Sequence, residues 1–338
     1  MTRPLAGVAA ATALAVGCTG LLLAPDGALD RPALFEHVWR DVDRQYALFA
    51  LKAVNWDSLH DVYAPRAAQA ASDDDLADAI GAMLRELRDV HVGLYVGLRA
   101  YVYRDSRPAF FDSAVVHGRY VADARPAPNG RLRFGHAGPD VGYVWIPNFR
   151  GSGFGTDLDA ALAQLGDVRG LIVDVRHSRG GEGQNSLAIA RRFADRSRVY
   201  GFVQFRDGPG HDDFSTVAPQ EVSPAGTRRF SGPVAVLTNR RSVSATEWLV
   251  LAMRVLPTVT VVGDSTAGGS GHVLPRELPN GWTYSFSISL WHAPDSGPFE
   301  EMGLAPDVWV RGSAEELAAG RDAALDTALA VVRRAMQE

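Results

Sequence analysis

Lysine and cysteine are almost missing from this chain. Its 338 residues include 34 Lys plus Arg and 39 Asp plus Glu, a formal charge of −5, yet Lys52 is the single lysine and Cys18 the single cysteine. A lysine general base, a Schiff-base lysine or a phosphate-loop lysine would have to be Lys52. One cysteine supports no disulfide framework, no cysteine-based zinc site and no iron–sulfur cluster. No His/Asp/Glu spacing resembles a metal site either. The slightly acidic balance, with arginine spread along the chain, argues against a nucleic-acid partner. With 46% apolar and 22% charged residues, the composition is that of an ordinary globular protein. The length suits one large domain or two of usual size.

Charge is also absent from Pro4 to Ala24. After Arg3, the Ala-rich run from Leu5 to Gly17 reads as the core of a signal peptide. Ala15-Val-Gly-Cys18 resembles a bacterial lipobox, which would make Cys18 a lipid-bearing N-terminus after cleavage. An uncleaved anchor is the alternative, because the uncharged run is about as long as a membrane span. Each version puts the rest of the chain outside the cytosol, periplasmic or at the cell surface.

From Leu29 to about Tyr95 the pattern is helical. Phe35, Val38, Trp39 and Val42 recur at helical spacing. Ser72 followed by three aspartates is a helix start, Leu76, Ile80, Met83, Leu84 and Leu87 line one face, and that helix runs out near Asp89-Val90-His91. Tyr101 to Phe134 reads as short strands and loops. Strand-like and helix-like runs then alternate: 141–147, 170–175, 182–194, 233–238, 245–255 and 258–262. This implies an α/β layer with mainly parallel pairing. Trp282 to Trp291 alternates like one strand of an antiparallel extension. Ser313-Ala-Glu-Glu316 is a capping box opening a final helix to about Met336.

Ligand sites of open α/β sheets lie beyond the carboxyl ends of strands, and three such exits carry unusual residues. Gly180-Gly181 follows the strand at 170–175 and can turn N–H groups into a cleft. Ser244 stands between a strand and an apolar helix, where a nucleophile would be stabilised by the helix N-terminus, although a helix N-cap is the plainer reading. The run from Gly263 to His272 is a third glycine-rich turn.

The order of these stretches resembles the S41 serine peptidases, the family of tail-specific proteases and the tricorn core. The matching strings are Asp174-x-Arg176-x-x-x-Gly180-Gly181, Ser244-Ala-Thr-Glu247, Gly263-Asp-x-Thr-Ala-Gly-Gly269 and Glu300-x-x-Gly303-Leu-Ala-Pro306-Asp307. The helical segment, with Trp39, Tyr46 to Phe49, Trp56 and Leu87-Arg-Asp-Val-His91, resembles that of tricorn-like members. Tail-specific members use a Ser–Lys dyad, but Gly269 stands where that lysine would be and Lys52 matches no such position. The resemblance therefore implies the tricorn-like design. In it Ser244 is nucleophile, His91 general base, Glu300 the orienting acid with Glu301 as competitor, and Gly180, Gly181 and Ala245 supply the oxyanion hole.

His177 and His272 are alternative bases. Tricorn-like members bridge histidine and glutamate through a serine just before the histidine, and here that residue is Val90. Ser178 replaces the usual Asn of the Gly-Gly motif, and Glu247, Asp174 and Arg176 read as structural partners. The resemblance implies peptide or protein substrates and no metal or organic cofactor.

The expected organisation is a leader over 1–26 and a helical subdomain over 27–95. A short connector over 96–140 follows, too small for the PDZ domain many members insert, and then an α/β core over 141–338. A non-catalytic ligand- or peptide-binding protein on the same fold is the alternative function, favoured by Val90.

Overall fold

The computed structural model describes residues 30–295 and 297–338, so the leader and Cys18 lie outside the described residues. Four helices come first: α1 (Arg31–Gln45), α2 (Phe49–Lys52), α3 (Trp56–Ala68) and α4 (Asp73–Arg85). The side chain of Asp30 accepts from Ala33 N to start α1, and Ser72 and Asp75 form a reciprocal capping box at α4. Phe35, Val38 and Val42 of α1 and Leu76, Ile80, Met83 and Leu84 of α4 are buried together, as apolar residues three and four apart require.

The helix expected to run out near Asp89 to His91 ends at Arg85. Arg88 takes a φ of 46°, which no helix tolerates, and residues 93–96 form β1 (Gly93–Val96), paired antiparallel with β2 (Arg99–Val102).

The chain then forms α5 (Ser113–Val115), a π-helical turn at 116–120, β3 (Arg125–Pro126), β4 (Arg133–His136), β5 (Val141–Trp145) and α6 (Phe154–Leu165). Next come β6 (Gly170–Asp174), α7 (Gly183–Ala190), β7 (Arg198–Phe205), β8 (Ala218–Val222), β9 (Val234–Thr238), α8 (Ala245–Arg254) and β10 (Val259–Gly263). The last elements are β11 (Val273–Glu277), β12 (Thr283–Ser287), β13 (Ser289–Ala293), β14 (Gly297–Pro298), β15 (Val308–Trp309), α9 (Ala314–Ala318) and α10 (Ala323–Ala335).

A seven-stranded sheet in the order β15-β10-β9-β6-β5-β4-β3 forms the centre. It is parallel from β15 to β5, and β4 and β3 add antiparallel. Its inner strands are buried on both faces. Leu171 and Val173 join the core beneath α6, α7 and α8, whereas Ile172 joins the core beneath α10. That is why these strands read as continuous apolar runs. The stretch read as a connector adds β3 and β4 to this sheet, with Phe134 opposite Val144 and fully buried.

Two four-stranded antiparallel sheets complete the fold, β11-β12-β1-β2 and β14-β13-β7-β8. The expected single strand from Trp282 to Trp291 is divided between them. Ile288 is the crossing point: its N–H donates to His272 O in the register of β11 with β12, and its carbonyl accepts from Arg206 N in the register of β7 with β13, so β12 pairs with β1 and β13 with β7. The expected final helix is also two helices. Gly320 turns the chain with a φ of 71°, and the Asp322 side chain caps α10 afresh through Leu325 N.

Candidate active site

Ser244 stands between β9 and α8 with φ 64° and ψ −128°. An ordinary N-cap keeps extended backbone, so Ser244 does not have the geometry of a mere cap. A non-glycine residue held there stores on the order of 1–3 kcal/mol of strain. The surroundings enforce it. Ser244 N donates to Gly269 O (3.0 Å) and to Glu247 Oε2 (3.0 Å). The buried Glu247 carboxylate also accepts from Thr266 Oγ1 (2.6 Å), Gly268 N (2.8 Å) and Gly269 N (3.0 Å). Burial pushes its pKa up, and these donors pull it back.

Gly180 packs directly on the serine. A Cβ there would lie 2.6 Å from Ser244 Cβ and 3.1 Å from Ala245 N, so only glycine fits, and its φ is 67°. The N–H groups of Gly180, Gly181 and Ala245 have no acceptor among the described residues. Around them the loops are tied by Val243 N to Ser178 O (3.1 Å) and Thr246 Oγ1 to Ser178 Oγ (2.9 Å). The end of β6 is fixed by Arg176 between Asp174 and Asp322 (2.6 and 2.8 Å), with Tyr143 OH donating to Asp174 (2.8 Å).

His91 sits in the turn between α4 and β1. Its N–H donates to Asp89 Oδ1 (2.8 Å) and its carbonyl accepts from Ser285 Oγ (2.8 Å). Asp89 Oδ2 accepts from Ser287 Oγ (2.8 Å), so β12 clamps the whole turn. The imidazole Nδ1 lies 4.0 Å from Asp89 Oδ1 and has no hydrogen-bond partner among the described residues. Burial lowers the imidazole's pKa, Asp89 opposes this, and Lys52 adds to it. The preceding residue joins the two halves of the site, because a Cβ at Gly269 would collide with Val90 Cγ2. Gly269 in turn holds Ser244 N.

Glu300 is 5% exposed, and its Oε2 accepts from Ser270 N (2.9 Å) and Ser270 Oγ (3.0 Å). Its Oε1 has no hydrogen bond among the described residues and lies 4.0 Å from Lys52 Nζ. Burial, reinforced by Asp89, pushes this carboxyl well above the usual range, and Lys52 opposes. Glu301 instead pairs with Lys52 (2.9 Å) and Arg88 (3.4 Å) near the surface. Asp89 is the one acid within 4 Å of the His91 ring among the described residues.

Two features were missed from the sequence: Asp89 as neighbour of His91, and Lys52 as a buried cation of the same cluster. Both were visible as types, in the string Arg88-Asp89-Val90-His91 and in the lysine count, but neither has a helical or strand periodicity that would aim it. The Tyr46 hydroxyl also lies in this cluster, its pKa pushed up by burial, Asp89 and Glu300.

Ser244 and Gly181 open onto a pocket of about 500 Å³ walled by Trp248, Trp291, Tyr200 and His272. The two indoles stack with centroids 4.8 Å apart. His272 bonds Ser289 Oγ (2.9 Å), and burial pulls its imidazole down to about 4. His177 lies on the other side of the loops and lines a different pocket with Val90 and Val243. Among the described residues no group of three metal-ligating side chains occurs, and no helix is long and apolar enough to cross a membrane.

The sequence profile described as "Peptidase family S41" matches residues 140–310, half of the chain. The chain belongs to peptidase family S41. The "Tricorn protease C1 domain" profile matches residues 28–85 of this S41 member, its helical segment, which assigns it to the tricorn-like branch. A candidate peptidase from Parabacteroides merdae ATCC 43184, known from its crystal structure, superposes with a TM-score of 0.82 at 34% identity. That match covers 90% of this chain and 97% of the other. Tricorn protease homolog 1 of Streptomyces coelicolor is 29% identical over 65% of this chain and 19% of its own length. The carboxy-terminal processing protease CtpB of Bacillus subtilis is 27% identical over 52% of this chain and 35% of its own. This S41 chain thus spans about a third or less of the length of these two curated relatives.

Within the S41 chain, Gly180, Ser244 and Ala245 come together as the sequence implied. His91 is joined to them through Val90 and Gly269. Glu300 and Glu301 belong to the Lys52 cluster, with no contact to the His91 ring within 4 Å.

Proposed function

We propose that this protein is an exported serine-type peptidase that hydrolyses peptide bonds, with Ser244 as nucleophile and His91 as general base. The observation that carries the reading is the strained Ser244 backbone, held against Gly180 beside three N–H groups that have no acceptor among the described residues. In this reading His91, kept neutral by burial, takes the Ser244 proton as Oγ attacks the substrate carbonyl. The Gly180, Gly181 and Ala245 amides receive the developing oxyanion. His91 then gives its proton to the leaving amine, and water resolves the acyl-enzyme by the same steps in reverse.

Asp89 faces the imidazolium and stabilises it. Glu300, with Lys52 and Ser270, sets the charge behind that pair and acts on His91 without touching it. The lone Nδ1 of His91 favours the second reading, a binding protein without catalysis. A fluorophosphonate probe separates the two. Wild type is expected to be labelled and Ser244→Ala is not, and an unlabelled, folded wild type would remove the peptidase reading. The charge-free N-terminal run supports export, with Cys18 as the attachment point. Mass analysis of the mature protein is expected to find a diacylglyceryl mass on an N-terminal Cys18, and an intact Met1 would rule out cleavage there.

A further inference from the structure

Behind His91, three buried polar atoms make no hydrogen bond among the described residues: the Tyr46 hydroxyl, Glu300 Oε1 and His91 Nδ1. The chain places them around Asp89, itself buried. Asp89 Oδ1 lies 4.0 Å from His91 Nδ1, and Lys52 Nζ lies 4.0 Å from Glu300 Oε1. Tyr46 ends α1 and is fully buried. The next residue, Ala47, donates its N–H to Ser287 O (2.9 Å), and Ser287 Oγ donates to Asp89 Oδ2 (2.8 Å). Strand β12 thus holds the Tyr46 backbone and the Asp89 carboxylate from one residue. Phe49 packs edge-on against the Tyr46 ring, centroids 4.9 Å apart.

A hydroxyl buried without a partner is costly, and the groups around this one are complementary to it. A neutral tyrosine offers one donor and an acceptor oxygen. Burial, Asp89 and Glu300 push its pKa up, which keeps it neutral. The Asp89 carboxylate holds one donor on each oxygen, His91 N and Ser287 Oγ, and an ionised carboxylate oxygen accepts more than one. The Glu300 carboxyl is driven toward its neutral form. Ser270 N and Oγ both donate to its Oε2, so the proton of a neutral Glu300 belongs on the bare Oε1. Val90, beside His91 in the chain, has no polar side-chain atom for this task and packs on Gly269.

We propose that Tyr46 is a positioning residue that couples Glu300 to the base: its hydroxyl accepts from Glu300 Oε1 and donates to the Asp89 carboxylate, which faces His91. This rests on the reading of His91 as general base. The hydroxyl passes no proton in turnover. It sets how much of the Asp89 charge is left for the imidazolium. Its two bonds tighten as that cation forms, as hydrogen bonds of a catalytic site do between the free enzyme and the transition state.

The test reads the His91 ring itself, in the full chain carrying Ser244→Ala, and needs no turnover. With histidine labelled by nitrogen-15, NMR follows the ring through its titration, and loss of the signal in His91→Asn assigns it. The other groups that act on this ring are Asp89 and Lys52, with His272 across the site, and all three stay in place. Tyr46→Phe removes the hydroxyl and leaves the ring. The O–H points its positive end at Asp89, so its loss is expected to raise the proton affinity of His91 at least ~3-fold. Glu300→Gln keeps an N–H donor for Tyr46 and is expected to leave that affinity near wild type. Glu300→Leu removes the donor and is expected to shift His91 when Tyr46 is present, and hardly at all in Tyr46→Phe, a non-additive cycle. No shift in Tyr46→Phe, additive shifts, or a shift in Glu300→Gln as large as that of Tyr46→Phe would overturn the proposal. The Gln variant keeps the test decisive if Glu300→Leu does not fold. Failure of the peptidase reading shows separately, as absence of fluorophosphonate labelling in wild type while the His91 shift persists.

Discussion

Two buried glutamates flank the reactive loops, and they are treated in opposite ways. Glu247, on α8, has four donors spread over both oxygens. Glu300, on the loop after β14, has two bonds on one oxygen, and the other oxygen is bare, 4.0 Å from Lys52. A fully satisfied carboxylate is a fastener, and Glu247 holds Ser244, Gly268 and Gly269 in one arrangement. A half-satisfied one next to a cation is a charge reservoir, because its protonation can respond to what happens beside it. The difference separates the acid that holds the loop from the acid left half-paired beside Lys52.

Removing the fastener gives the largest expected effect. Glu247→Ala leaves the Gly268 and Gly269 amides and the Thr266 hydroxyl buried without their acceptor. At about 1–3 kcal/mol for each orphaned donor, the loss is on the order of 5 kcal/mol. Chemical denaturation would register this as a large drop in midpoint, and a small drop would mean the loop is held by something else.

Lys52→Met comes next. It strips the buried cation from both Glu300 and Glu301, but Arg88 still faces Glu301 at 3.4 Å. Breaking a buried pair costs about 3–5 kcal/mol, and the remaining arginine places this case at or below the lower end.

The same variant moves the pH profile. The His91 pKa lies below 6.5 in the folded protein, so the unfolded chain takes up the proton first on acidification. Its contribution to stability is present above pH 6.5 and is lost as pH falls through the lowered folded-state value. The acid limb of peptidase activity is therefore expected below 6.5. It should shift upward in Lys52→Met, because Lys52 disfavours the imidazolium. An unshifted limb would separate Lys52 from the base.

Glu300→Gln is the mildest change. Its carboxyl is already driven toward the neutral form, and an amide is close to isosteric with it. The expected loss is within about 1 kcal/mol, the worth of one net hydrogen bond. A loss as large as that of Glu247→Ala would erase the contrast between the two acids.

Much of the site was legible because its parts are local. Ser244 at a strand–helix junction, the Gly180-Gly181 turn and the Ser72 capping box each depend on neighbours a few residues away. Backbone preference and hydrogen bonding act at that range. The same holds for the apolar strands 170–174 and 234–238, whose two-sided burial is written as continuous hydrophobicity. What misled were the stretches whose fate depends on distant partners. Trp282 to Trp291 alternates cleanly, but at Ile288 the run passes from one sheet to the other, its N–H bonded toward β11 at His272 O and its carbonyl toward β7 at Arg206 N. Gly320 divides the last helix although the apolar positions continue across it.

The sequence by itself determined that this is an α/β chain with a helical lead, one candidate nucleophile and no lysine in the dyad position. These follow from residue type and short-range spacing. Only the tertiary structure decided how the single lysine is used. Lys52 lies 249 positions before Glu301 and meets it at 2.9 Å, a contact no periodicity encodes. It also explained Gly269, since the space a longer side chain would need is filled by Val90. Charge and volume are read between chain segments, and packing alone sets which segments meet.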